Sequence, residues 1–481
     1  MTIPAEAFFL DRSADTPLQA QLRRQIIAGV LEGRFRAGEK LPSSRHLATH
    51  LGVARVTVAQ AFAELVATDY LGSRARTGHF ISGRITPLPA PAPDPQGGFD
   101  WSPLLDGRYS RGERKDREPG WRRFRFPFVY GQADPALVDH AAWRDCAVRA
   151  LGRREFIPLT GDLYGEDDPE LVDFIARHIL PRRGIRAQSG NILLTLGAQN
   201  GLWLAAQILL GPGRRCAIED PCYPGLRPIL AATGAEVIPL ALDRDGLPPD
   251  TLPEGLTAVF TTASHQSPTN TAMPSARRAA LLTRAETHRF AIIEDDYEFE
   301  MSFAGAPSPA LKARDESGAV IHLGSFSKSV FPGLRLGYMV ADPAVIREAR
   351  ALRSLTLRHP PGMLQRTLAY YLSLGHYDAQ MNRMRAAYAA RRAAMEAAIA
   401  AQGLTPATLG GGSSFWMAMP QGRSSAVLAA ALQAQDVLIE PGAPFFANPA
   451  AGAGFYRLAY SSISVERIPE GIARIAAALR A

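Results

Sequence analysis

The sequence predicts two folded domains: a small winged helix-turn-helix, helical with a short β wing, joined by a linker to a larger α/β domain with a mostly parallel sheet. Three observations predict this. Residues 16–82 hold helical apolar periodicities followed by an alternating hairpin pattern. Residues 85–124 are rich in Pro, Gly and charge, with little to bury. From Phe126 onward, short apolar runs alternate with helical patterns, as expected of strands joined by crossover helices. At 481 residues the chain is also too long for one ordinary core. The expected domains are 10–84, a flexible linker over 85–124, and 125–481.

Bulk composition narrows the class. Hydrophobic residues at 47% and charged residues at 21% fit a soluble globular protein. No long apolar run is present, and MTIPAEAFFLDR lacks a basic region followed by an apolar stretch. The expectation is a cytoplasmic protein with no membrane segment. Cys146, Cys216 and Cys222 are odd in number and lack metal-ligand spacing, which argues against a disulfide framework and a zinc site. No metal site is expected. A net charge of +7 permits a polyanionic partner without demanding one.

In the first domain, Leu18, Leu22, Ile26, Ile27, Val30 and Leu31 predict a helix over 16–33. A second helix runs to about Leu51, capped by a serine of Leu41-Pro42-Ser43-Ser44-Arg45 and ended by Gly52. A third, over 55–68, buries Val58, Ala61, Phe62 and Leu65. Two short helices around a glycine-containing turn make a helix-turn-helix, whose second helix can enter the major groove. Residues 70–82 (YLGSRARTGHFIS) then alternate as a hairpin, with Arg74 and Arg76 at its tip. A small helical module for protein contacts fits the same periodicity. The G-R-F-x-x-G-x-x-L-P-S-S-R segment, the helix pair and the T-G-x-F wing together resemble the GntR family of winged-helix transcription factors over 15–83. That resemblance implies a double-stranded DNA operator as partner, with Ser43, Ser44, Arg45, Arg55, Thr57, Arg74, Arg76 and Gly78 as contact candidates. Ala54 departs from the family, which often has a capping serine there.

In the second domain, strands are expected at 191–195, 215–219, 236–239, 258–262, 290–294, 319–323 and 337–340. Functional groups in such sheets gather at strand ends. Lysine occurs only at Lys40, Lys115, Lys312 and Lys328, although Lys and Arg together number 53. Lys328 lies in Gly324-Ser325-Phe-Ser327-Lys328, followed by Arg335. Lysine can lose its proton and form a Schiff base, whereas guanidinium stays charged. The Ser325 and Ser327 hydroxyls with Arg335 can hold a phosphate. Together these point to pyridoxal phosphate (PLP) on Lys328, although a basic turn after a buried strand fits the segment in isolation.

Other strand ends add the remaining groups. Gly197, Ala198 and Gln199 open a helix and can offer N–H groups to phosphate. Tyr223 supplies a face to stack on a pyridine ring. Asp295 can keep a ring nitrogen protonated, and Tyr297 can reach the phenolic oxygen. In this order they resemble the fold-type I PLP-dependent aminotransferases over about 126–481. The resemblance implies Lys328 as the Schiff-base lysine and Arg457, in an apolar strand, as holder of an effector carboxylate. Where those enzymes carry Asn-Pro-Thr-Gly, this chain has Ser267-Pro268-Thr269-Asn270, losing an amide donor. That run, with Met273-Pro274 and Arg277-Arg278, resembles the MocR subfamily of bacterial regulators. The expectation is therefore a PLP-dependent, homodimeric regulator that senses a small amino compound, its aminotransferase-like domain used for sensing. A working aminotransferase with a DNA-binding domain, and a sensor of PLP level itself, are the alternatives.

Overall fold

The computed structural model describes residues 2–74, 77–85, 100–105, 107, 120–162, 165–301, 308–408 and 410–481. They fall into two compact units, Met1–Asp106 and Gly107–Ala481. Arg76 and most of the expected linker lie outside the described residues.

The first unit is built on three helices, α1 (Leu18–Leu31), α2 (Ser44–Leu51) and α3 (Arg55–Ala67), and a hairpin of β1 (Leu71–Arg74) and β2 (Gly78–Ile81). The helical spacing read from the sequence closes one core, in which Leu22, Ile26, Leu47, Val58, Phe62 and Leu65 are buried. Ile3, Ala5 and Phe8, ahead of the expected start of the domain, join that core. The Ser43 hydroxyl caps α2 by accepting from the His46 amide at 3.1 Å. Ala54 gives α3 no side-chain cap. The hairpin pairs Leu71 with Ile81 and Arg74 with Gly78.

The second unit centres on a seven-stranded sheet. Its strands are β4 (Ile192–Thr195), β5 (Arg215–Asp220), β6 (Glu236–Ala241), β7 (Ala258–Thr261), β8 (Ala291–Asp295), β9 (Val320–Ser325) and β10 (Gly337–Val340), in the order β4-β10-β9-β8-β7-β5-β6. Only β10 runs antiparallel to its neighbours. Each of the seven expected strands is present, shifted by no more than two residues at an end. Successive residues feed opposite faces: Ile218, Phe260, Ile293, Leu323 and Met339 pack in one cluster, and Ala217, Val259, Ile292 and Val320 in another. Burial on both faces is why these strands read as continuous apolar runs rather than as alternation.

Two smaller sheets complete the site. β3 (Phe126–Pro127) pairs in parallel with β12 (Val437–Leu438). A three-stranded sheet has the order β11-β14-β13, with β11 spanning Ser414–Ala418, β13 Glu440–Pro441 and β14 Phe455–Ala459. Among the described residues, no helix is long and apolar enough to cross a membrane. All three cysteines are buried and free.

Candidate functional site

The C-terminal ends of β4, β8 and β9 and the start of β10 meet at one cavity of ≈ 480 Å³. Ala198, Gln199, Tyr223, Asp295, Tyr297, Ser325, Ser327, Lys328, Arg335 and Arg457 all line it, although they span 260 positions of sequence. The antiparallel β10 causes part of this convergence. Its Gly337 pairs with Thr195 on one side and Ser325 on the other. A Cβ at Gly337 would lie 2.6 Å from the Gly324 carbonyl oxygen and 3.0 Å from Gly197 Cα, so only glycine lets these turns close up.

At this end of the cavity the groups suit an anion. Gly197 has φ +78° and leads into a helix, Ala198–Leu209, whose first amides have no intrahelical acceptor. The Ser327 amide donates to Ser325 Oγ at 3.2 Å, and Ser327 Oγ is buried without a hydrogen-bond partner. Arg335, at φ +52°, donates to the Leu196 carbonyl at 3.2 Å. A Cβ at Gly197 would sit 3.5 Å from Arg335 Nη2 and 3.6 Å from Ser327 Oγ, which shows how tightly these groups cluster.

Deeper in, Asp295 presents a buried Oδ1 with no hydrogen-bond partner. Burial, with the nearby Asp296 and Glu219 carboxylates, pushes its pKa up to about 7, against the opposing pull of Lys328. Asp296 itself is held ionised by Arg183, at 2.6 Å. Glu219 accepts from the hydroxyls of Thr261 and Thr262 and from Gln266 Nε2. The raised Asp295 pKa has a measurable consequence in cofactor-free protein. The unfolded chain loses this proton near 3.8, whereas the folded protein keeps it to about 7. Stability contributed by the protonated form is therefore present at pH 4 and lost as pH rises through about 7. Asp295→Asn should gain on wild type over that window, by at most about 1.4 kcal/mol per pH unit. Denaturant titrations at pH 4.5 and 7.5 check this; an equal difference at both pH values refutes it.

Lys328 Nζ lies 4.4 Å from the centre of the Tyr130 ring. Tyr223 approaches Gln199, its hydroxyl 3.4 Å from Oε1. Two of the expected site residues already have partners within the protein. Tyr297 donates its hydroxyl proton to the His265 carbonyl, at 2.9 Å, because the loop after β7 packs against it. Arg457 is paired within the protein: Nε and Nη2 each donate to Glu440, both at 3.0 Å. Glu440 is its cross-strand partner on β13. Burial works against the Arg457 charge, but Glu440 more than offsets it and holds the pKa above the ordinary range. Arg457 also stacks over Tyr130 and Phe445, at 4.2 and 4.7 Å from their ring centres.

Sequence reasoning missed Tyr130 and Glu440. The second carried a signal, since a lone acid interrupts the apolar Val437-Leu-Ile-Glu440 run. Among the described residues, no group of His, Cys, Asp and Glu is placed to hold a metal ion.

On the first unit, Ser43, Arg45 and Arg55 are exposed, and Ser44 and Thr57 half-buried, around the starts of α2 and α3. Ser43 is engaged as the cap. On the wing, exposed Arg74 lies over the Phe80 ring at 4.8 Å, beside exposed Gly78.

Comparison with known proteins gives the same two parts. Residues 18–81 match the gntR family of bacterial regulatory proteins, and residues 159–475 match aminotransferase class I and II. The HTH-type transcriptional regulator TauR of Rhodobacter capsulatus is 56% identical over 484 residues, covering all of both chains. The probable rhizopine catabolism regulatory protein MocR of Rhizobium meliloti is 33% identical, over 80% of this chain and 77% of that one. Among solved structures, the α-aminoadipate aminotransferase LysN of Thermus thermophilus, complexed with N-(5'-phosphopyridoxyl)-L-leucine, superposes with TM-score 0.72 and 26% identity, over 79% of this chain and 98% of that one. With a winged helix at one end and an aminotransferase fold at the other, the chain belongs to the MocR-type GntR-family transcriptional regulators.

Proposed function

We propose that this regulator binds PLP in the cavity around Lys328 and senses a small primary amine there. One observation carries the reading: a single cavity gathers Lys328, a partnerless buried carboxylate oxygen on Asp295 and a partnerless buried hydroxyl on Ser327. Buried polar atoms without partners are costly, and a ring nitrogen and a phosphate would satisfy these two. The residues present therefore fit the cofactor. When bound, PLP supplies an aldehyde carbon that amines attack, with its ring as an electron sink. Ser325, Ser327, Arg335 and the amides from Gly197 to Gln199 would hold the phosphate; Asp295 would face the ring nitrogen, and Tyr223 the ring. That LysN, of the same fold, is complexed with a phosphopyridoxyl amino acid supports PLP as the cofactor.

Two features favour sensing over turnover. Ser267 lacks the amide that the related enzymes direct at the phenolic oxygen, and Tyr297 spends its proton on His265. Both losses remove donors that stabilise developing negative charge, while cofactor binding itself needs neither. The amine is expected to carry an acid group, because Arg457 lines the same cavity. The chain is expected to act as a homodimer on a double-stranded DNA operator, one winged helix being too small to select a genomic site.

Titrating the cofactor-loaded protein with amines while following its visible absorbance tests this. The expected result is a saturable shift for one class of amine with no keto acid released. Sustained release of keto acid would make it a working aminotransferase. DNA binding that follows PLP, with no amine altering it, would make it a sensor of the cofactor.

A further inference from the structure

The first residues after the linker are tied down by a ladder. The amide of Phe126 donates to the Asp436 carbonyl at 3.1 Å, and that of Phe128 to the Leu438 carbonyl at 2.8 Å. The next rung, by the same two-residue step, should join Tyr130 to the backbone of residue 440. It does not. The Tyr130 amide donates instead to the Glu440 side chain, to Oε2 at 3.0 Å. That same oxygen accepts from Arg457 Nε, and the other from Nη2. One carboxylate therefore closes the last rung of the ladder and neutralises the arginine of the ligand cavity, which both residues line.

We propose that Glu440 is a built-in competitor of the effector, a carboxylate that holds Arg457 until an acid group displaces it and that thereby reports occupancy to the chain leading from the DNA-binding domain. This rests on the proposed amine-sensing function. The chemistry is an exchange of like for like. A guanidinium grips a planar carboxylate through two parallel N–H groups, so an incoming acid competes for the donors Glu440 uses. Displacement removes the Tyr130 amide's acceptor, and a buried amide without one is unfavourable, so residues 126–130 must adjust. Tyr130 is well placed to carry the change. Its ring contacts Lys328 on one count and Arg457 on the other, and its hydroxyl donates to Glu298 at 2.9 Å. Lys328 Nζ and Arg457 Cζ lie 4.4 and 4.2 Å from one ring centre, so at most about 8.6 Å separates them. A compound bridging them carries its amine and its acid only a few atoms apart.

The test uses full-length, cofactor-loaded wild type, Glu440→Gln and Glu440→Ala, with β-alanine as probe and propylamine as the amine without an acid. Affinities come from cofactor absorbance. Removing the competing charge should tighten β-alanine binding about tenfold or more and leave propylamine unchanged. In wild type, amide hydrogen exchange over 126–131 should speed up with β-alanine and not with propylamine. Glu440→Ala alone should move DNA affinity in the direction β-alanine moves it in wild type, by roughly fivefold or more. Weaker or absent β-alanine binding in the variants, with propylamine intact, would make Glu440 a support that orients Arg457 and overturn the proposal. Unchanged exchange over 126–131 in β-alanine-saturated wild type would overturn it without any variant. If no amine, propylamine included, perturbs the cofactor, the amine-sensing function itself fails.

Discussion

Lys328→Ala should yield a folded protein that cannot retain PLP through gel filtration, with the visible absorbance of the loaded protein lost entirely. An imine to PLP requires a primary amine at the cavity, and Lys328 lines it. Among the described residues, Lys312 is committed to Asp315 at 2.9 Å and Lys40 belongs to the other unit; Lys115 lies outside the described residues. Lys328→Arg sharpens the experiment, because it keeps a cation against Tyr130 but cannot form the bond. Folding should survive in both, since Lys328 sits at a cavity wall and its loss leaves the sheet's apolar clusters untouched. Circular dichroism and the thermal midpoint establish the fold; absorbance after borohydride reduction establishes the link. A full absorbance band in Lys328→Ala, or a reduced adduct mapped to Lys312, would place the cofactor elsewhere.

Backbone and side chains differ in how much of their placement is written in the sequence. The strands around the cavity were legible because a buried parallel strand must be apolar throughout, and runs such as Ala258–Thr261 leave no other efficient use for their residues. Lys328 was legible because lysine is rare in a chain that elsewhere uses arginine. Asp295 was legible because an acid ending an apolar strand needs a reason. Arg457 shows the limit. Its identity and strand were readable, but its partner is set by the antiparallel pairing of β13 with β14, which only the assembled sheet reveals. The Tyr297 partner is hidden for the same reason, its acceptor being a backbone carbonyl in a loop 32 residues away. Tyr130 had no signal at all: an aromatic in the short Phe126–Tyr130 stretch reads as core, and only the fold places it against both Lys328 and Arg457.

The double variant Arg45→Ala/Arg55→Ala should lose two to four powers of ten in operator affinity while keeping the cofactor spectrum of the wild type. Both side chains are exposed, one in the first turn of α2 and the other opening α3. The start of a recognition helix is where base edges and phosphates come within reach. Removing one arginine contact to a base or phosphate costs about 1–3 kcal/mol, and two separated contacts should add nearly independently. Stability should hold, because neither residue belongs to the core formed by Leu47, Val58, Phe62 and Leu65. The salt dependence tells the two kinds of contact apart. A lost phosphate contact lowers the slope of log affinity against log salt by about one, whereas a lost base contact lowers affinity and relaxes sequence preference at one position. Fluorescence anisotropy on a fragment selected by the wild-type protein from a random library, at several salt concentrations, reads both. Undiminished affinity in the double variant would move the DNA surface away from α2 and α3, toward the wing where Arg74 lies over Phe80.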